Sequence, residues 1–218
     1  MRQPLFLFLL ASATQINAQK AVAVSKEPLH KNVFENKYLR VLDVKILPGG
    51  TTLFHKHETP SVFISLHPVR TGSQVIIEDG SATVLSPDRR ITFEGFYKSP
   101  RIHRVWNADT SVFHVMDVEV LTRGDKSIDA AVDLEEFKQL FDAPPVRAYR
   151  VTLKSNQEIE MKRNAAVLVV GLDEADKVMV NSKPFLKEGD FLFITPSEKI
   201  KLVNKGQQGY SFALLELK

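Results

Sequence analysis

The run from 38 to 46 (YLRVLDVKI) sets apolar residues at 42, 44 and 46 against charges at 43 and 45, a period of two. Such alternation makes a half-buried β-strand, because successive strand side chains point to opposite faces. Pro48, Gly49 and Gly50 break the run, and further short runs follow at 51–57, 62–66, 74–77, 82–85, 90–93, 102–106 and 111–121. Asp79 and Gly80 read as a hairpin turn between two of them. Short strands at steady spacing with turn signals between them predict an all-β barrel or sandwich.

The pattern changes once. From 128 to 141, Val132, Phe137 and Phe141, with Leu134 and Leu140 nearby, fall at roughly helical intervals, and Asp133 is placed to cap a helix over 134–140. Ala143, Pro144 and Pro145 end it, so the sequence predicts a linker with one short helix. The strands then resume and echo the first half. Arg147, Val151 and Leu153 lie over Arg40, Val44 and Ile46; 167–172 lies over 62–66; 211–217 ends much as 113–120 does. The segment 187–196 followed by Asn204 resembles Phe93, Glu94 and Gly95 followed by Pro100 and Asn107. A duplicated β-domain with a period near about 100 residues follows.

With 218 residues, 44% of them hydrophobic, the chain has enough apolar surface for a real core. Its net charge of +3 is too small and too evenly spread to point to nucleic acid. The N-terminal MRQPLFLFLLASATQINAQK places Arg2 before a short apolar run at 5–11 and small or polar residues up to Ala18. That order predicts a signal peptide over 1–18, export to the periplasm or beyond, and no membrane attachment once the leader is removed. The chain has no cysteine. That fits an oxidising compartment and excludes thiol catalysis, disulfides and Cys-ligated metal.

On a strand, His55 and His57 project from one face together with Leu53, and His103 lies on another strand-like segment, 100–107. Imidazole is a common ligand of first-row transition ions. Three such nitrogens on neighbouring strands take one face of an ion and leave the others open, as catalytic sites do. By residue type alone the set suits Fe²⁺, Zn²⁺, Mn²⁺, Ni²⁺ or Cu²⁺. Phe63, Phe93, Trp106 and Phe113 are candidates either for a ligand pocket beside the metal or for ordinary core. Arg101 shares strand parity with His103, so it either meets an anionic substrate group or lies on the surface. His30 and His67 read as solvated, and His114 as a satisfied strand residue.

The spacing Gly50-x4-His55-x-His57, followed by Gly95-x4-Pro100-x2-His103-x3-Asn107, resembles the two signature motifs of the cupin superfamily. The first half carries both, and the second half is similar to a further cupin around Gly189, Asp190, Pro196 and Asn204. The resemblance implies a bicupin: a metal-holding barrel over 19–122, a linker over 123–146, and a second barrel over 147–218. It implies a three-histidine site similar to that of thiol- and diketone-oxidising dioxygenases, with Fe²⁺ as the favoured ion, a small-molecule substrate, and homodimers as a common assembly. The chain departs from the family in three places. Ser61 or Val62 stands where its glutamate falls, Ile102 replaces the glycine of its Pro-x-Gly turn, and the second half has Met161, Arg163 and Lys199 or Ile200 at the ligand positions. The second barrel is therefore expected to bind no metal. Alternatives on the same fold are a metal-assisted isomerase or lyase, and a non-catalytic binding barrel.

Overall fold

The computed structural model describes residues 20–76, 82–85 (as backbone), 90–96 and 98–218; the predicted leader and the predicted turn at Asp79 and Gly80 lie outside them. The first half contains β1 (Val22–Ala23), β2 (His30–Glu35), β3 (Leu39–Ile46), β4 (His55–His57), β5 (Ser61–His67), β6 (Thr71–Val75), β7 (Ala82–Leu85), β8 (Ile91–Glu94), β9 (Arg101–Asn107) and β10 (Phe113–Val120). The second contains β11 (Phe137–Ala143), β12 (Val146–Leu153), β13 (Gln157–Lys162), β14 (Ala166–Gly171), β15 (Val178–Val180), β16 (Lys183–Pro184), β17 (Phe191–Ile194), β18 (Lys199–Asn204) and β19 (Tyr210–Leu217).

These strands form four sheets, ordered β1-β4-β9-β6-β7, β2-β3-β10-β5-β8, β11-β12-β19-β14-β17 and β13-β18-β15-β16. Adding nine to each label turns the second order into the third, and β4-β9-β6-β7 into the fourth. The two halves are therefore one topology used twice, each a flattened barrel of two antiparallel sheets. Register extends the match to single residues. Ile46 pairs with Phe113 as Leu153 pairs with Tyr210, so Arg40, Val44 and Ile46 do lie over Arg147, Val151 and Leu153. The parallel edge strand β1, paired to β4, has no counterpart among the described residues of the second half.

The helix predicted in the linker is absent; its C-terminal part is strand β11. Its apolar spacing has a different cause. A bulge between Gln139 and Phe141 adds one residue to the strand, so Phe137 faces the interior of the second barrel while Leu140 and Phe141 pack on the opposite side. One inserted residue turns a period of two into the i, i+3, i+4 spacing of a helix. The equivalent strand β2 carries the same bulge between Asn32 and Phe34. Pro144 and Pro145 form the hairpin turn joining β11 to β12, and Gly124, at φ +73°, lies so close beneath it that a Cβ would sit 2.4 Å from the Pro144 carbonyl oxygen.

The largest apolar cluster lies between the barrels. Leu39, Val41, Val62, Ile64, Met116 and Val118 from one half meet Val146, Ala148, Leu168, Val170, Leu215 and Leu217 from the other, all buried. Each large aliphatic side chain removed from water here contributes about 1.5–3 kcal/mol. Inside the second barrel, Tyr149, Val151, Val169, Val180, Leu202, Phe212, Leu214 and others fill the space. The interior cluster of the first barrel is small, with Leu42, Val44 and Ile46 at its centre.

Two asparagines close equivalent loops. Asn107 donates to the Ile46 and Ser111 carbonyls and accepts from the Asp109 amide. Asn204 donates to the Lys154 and Gln208 carbonyls and accepts from the Gly206 amide. This shared anchoring is why the residue recurs in both halves.

Candidate metal centre

The space left unfilled in the first barrel is a cavity of about 230 Å³. Strand β4 pairs antiparallel with β9, so His55 lies directly opposite His103, and His57, two residues on, faces the same way. One nitrogen from each of the three rings lies within 4.8 Å of the other two, and all three residues are buried. The Nε2 atoms of His57 and His103 are 3.1 Å apart. Metal–nitrogen bonds of about 2.0–2.1 Å at roughly 90–110° place two ligand nitrogens about 2.9–3.4 Å apart. Two facing lone pairs at this distance repel unless a cation or proton lies between them.

The outer edges of the rings are held. His55 donates from Nδ1 to the Leu53 carbonyl at 2.9 Å, and His103 Nδ1 lies 3.3 Å from the Ser73 hydroxyl. Fixing Nδ1 outward turns Nε2 inward, the usual way a protein orients ligating imidazoles. Burial, with the neighbouring histidines and Arg101 adding repulsion, lowers the pKa of His55 to about 4 and of His103 to about 2, and that of His57 further. Rings so disposed are neutral at pH 7, the form that binds metal. The donor set and its geometry thus fit a divalent transition ion.

Four features of this cavity were not foreseen from the sequence. His30, expected in solvent, is 8% exposed, because β2 pairs with β3 and turns it inward, its ring 4.6 Å from that of His55. Its Nδ1 donates to Glu27 at 2.6 Å, and Glu27 is itself buried and accepts from the Leu29 and Leu53 amides. Burial raises the Glu27 pKa, but the His30 hydrogen bond and these amides outweigh it and leave the carboxyl below its ordinary value. Phe96, held at φ +52°, stacks on His57 with ring centroids 5.4 Å apart. A non-glycine residue in that region is strained, and such strain collects at functional sites. Asp117, 1% exposed on β10, lies 3.5 Å from His57 Nδ1. Burial pushes its carboxyl up to about 8, Glu119 adds to this, and the Ser61 hydroxyl offsets only part of it. The signal for Asp117 was its parity with Phe113 and Val115, which also face the cavity.

Of the substrate candidates, Phe63, Arg101 and Phe113 all line the cavity. Phe63 meets His57 edge-on at 5.5 Å, and Arg101 stands at the rim, 38% exposed, 4.0 Å from Glu94. Phe93 packs instead against the seam between the barrels, and Trp106 lies against Gly72, where a Cβ would overlap its ring. His67 is exposed. His114 is buried between Asp43 at 2.6 Å and Glu188 at 3.2 Å. At the position of the family glutamate, Ser61 is buried and Val62 belongs to the seam.

In the second barrel, Met161 pairs with Ile200 as His55 pairs with His103, so Ile200 rather than Lys199 holds the late histidine position. Arg163 stands in place of His57 and reaches Glu216 at 2.5 Å.

No family model and no curated protein matches the chain. Solved structures do match. A cupin 2 conserved barrel domain protein from Leptotrichia buccalis is similar at TM-score 0.54 and 12% identity, over 86% of this chain and 88% of its own. YhhW from Escherichia coli matches at TM-score 0.58 and 11% identity, over 88% and 89%. Salicylate 1,2-dioxygenase from Pseudoaminobacter salicylatoxidans, solved with gentisate, matches at TM-score 0.56 and 10% identity, over 84% and 70%. At these identities the likeness shows the fold: all-β, of cupin type.

Proposed function

We propose that the chain is an exported bicupin whose first barrel binds one divalent transition ion through His55, His57 and His103, and that it acts as a dioxygenase on a small chelating organic substrate. The observation that carries this reading is the convergence of three neutral imidazoles on one point in a buried cavity. The resemblance to cupin dioxygenases favours Fe²⁺, although the donor set also accepts Zn²⁺, Mn²⁺, Ni²⁺ and Cu²⁺. When bound, the ion supplies Lewis acidity and, as iron, redox chemistry with O₂.

The protein's own residues do the rest. Val44, Ile46, Phe63, Phe113 and Val115 exclude water and cover the apolar part of a substrate. Arg101 at the rim offers a guanidinium to a carboxylate. Hydroxybenzoates, which carry an apolar ring and a chelating acid, are therefore the first class to try. A second reading, a non-catalytic barrel that holds a small molecule, draws support from Ser61 and Val62 standing where the family has its ligating glutamate.

The test is elemental analysis of the untagged protein beside His55→Ala, followed by O₂ uptake with salicylate and gentisate after anaerobic loading with Fe²⁺. About one ion per chain, lost in the variant, with substrate-dependent O₂ uptake, supports the enzyme. Metal without uptake supports the binding barrel. No metal after reconstitution with Fe²⁺, Mn²⁺, Ni²⁺ or Zn²⁺ overturns the site.

A further inference from the structure

Among the described residues, five buried side-chain polar atoms lack a hydrogen-bond partner, and three of them belong to one neighbouring pair: Nδ1 of His57 and both carboxyl oxygens of Asp117, whose Oδ2 lies 3.5 Å from Nδ1. Leaving such atoms unpaired in an apolar interior costs about 1–3 kcal/mol each, more for a charge. A site carrying that cost without return is unusual, so the pair calls for an explanation.

The other histidines of the cavity supply the pattern. His55, His103 and His30 each have a partner at Nδ1: a carbonyl, a hydroxyl and a carboxylate. His57 alone lacks one within hydrogen-bond distance, and the nearest acid is Asp117 at 3.5 Å. The second barrel serves as an internal control. Asp117 pairs with Phe63 and Leu42 as Leu214 pairs with Val169 and Tyr149, so Leu214 is its counterpart. Where Arg163 replaces the imidazole, leucine replaces the acid. The two polar groups are present together in one barrel and absent together in the other.

We propose that Asp117 is the acidic member of the metal centre, a positioning residue on β10 that orients His57 through Nδ1 where Ser61 and Val62 offer no carboxyl group. This rests on the metal-binding reading of the three histidines. A carboxylate behind a ligating imidazole fixes its tautomer and raises its basicity, and losing such a partner weakens metal binding roughly 10–100-fold. Without metal the same side chain is a liability, both its oxygens buried without a hydrogen-bond partner while the neighbouring Ser61 hydroxyl donates to the Thr59 carbonyl. One residue thus acts in opposite directions on the metal-free fold and on metal affinity.

The experiment uses the full chain as wild type, Asp117→Leu and Asp117→Asn, each stripped of metal and titrated with Co²⁺ and Zn²⁺ against a chromophoric chelator, with melting followed in parallel. The expected result is a loss of affinity of roughly 10–100-fold in Asp117→Leu, a smaller loss in Asp117→Asn, whose amide oxygen still accepts from Nδ1, and a higher melting temperature for metal-free Asp117→Leu than for metal-free wild type. If Asp117→Leu fails to fold, Asp117→Asn decides by affinity and by the visible spectrum of its Co²⁺ form. Affinities within twofold of wild type in the folded variants overturn the role of Asp117 while leaving the histidine site intact. A wild type that takes up neither ion overturns the metal reading itself.

Discussion

Position by position, the second barrel carries Phe137, Met161, Ile200 and Leu214 where the first carries His30, His55, His103 and Asp117. Thr92 and Glu94 likewise stand opposite Phe63 and Ser61 where Leu192 and Ile194 stand opposite Val169 and Val167. The order of the equivalent strands, the bulge in β2 and β11 and the loop anchors are shared; the chemistry of the inward-facing residues differs most. The first barrel has a hollow in which histidines and an acid sit among apolar side chains, and the second has a packed interior. Function in this molecule is thus located by the difference between two copies of one scaffold, in the residues that a stability argument alone would not choose.

The comparison can be broken most severely by giving the filled barrel the acid of the hollow one. Leu214→Asp should destabilise the protein by about 4 kcal/mol or more, since it places an unpaired carboxyl among Tyr149, Val169 and Phe212. Urea unfolding reads the loss, and a change below about 1 kcal/mol would show that the second interior is not the dry core described.

Acid should sharpen the difference next. Burial holds His55 at about 4 and His103 at about 2, with His57 lower still, against an ordinary 6.5. Below pH 6.5 the unfolded chain takes up protons that these folded rings refuse, so stability falls as pH drops through this window. Asp117, raised from 3.8 to about 8, works in the opposite sense, because the folded form keeps a proton that the unfolded chain has released. Three groups against one leave a net loss of roughly 3 kcal/mol between pH 7 and pH 5 in chelator-treated protein. Denaturant melts at the two pH values check it, and stability that is flat or rising on acidification would contradict the burial of the three rings.

The smallest effect concerns what the barrels share. Asn107→Ala and Asn204→Ala should each cost about 1–3 kcal/mol, and by similar amounts, because each leaves buried carbonyls unpaired. Thermal melts that separate the two by more than about 2 kcal/mol would mean the loops are anchored differently.

Much of this was legible in the sequence because strands announce themselves by parity. The alternation at 38–46 and its echo at 147–153 gave the true register of the repeat, and the His55–His57 spacing placed two imidazoles on one face. What escaped did so for definable reasons. A bulge disguised β11 as a helix by breaking its period. His30 is buried through the pairing of β3 with β2, a strand not predicted from the sequence at 30–35, and its contact with His55 is non-local. Asp117 sat in the right parity, but a single acid in a strand reads as an exposed residue unless the opposite face is known to be buried; here that face, with Met116 and Val118, is the seam.

The seam has a consequence for how such a molecule changes over generations. The half without the histidines supplies one wall of the cluster in which Leu39, Val62, Ile64 and Met116 are buried, so its outer sheet is held to apolar side chains whatever fills its interior. Val146, Leu168, Val170 and Leu215 bury their neighbour's apolar surface as well as their own. Side chains inside the second barrel can therefore be exchanged one at a time without baring the seam, whereas deleting that half would leave Leu39, Val62, Ile64 and Met116 facing water.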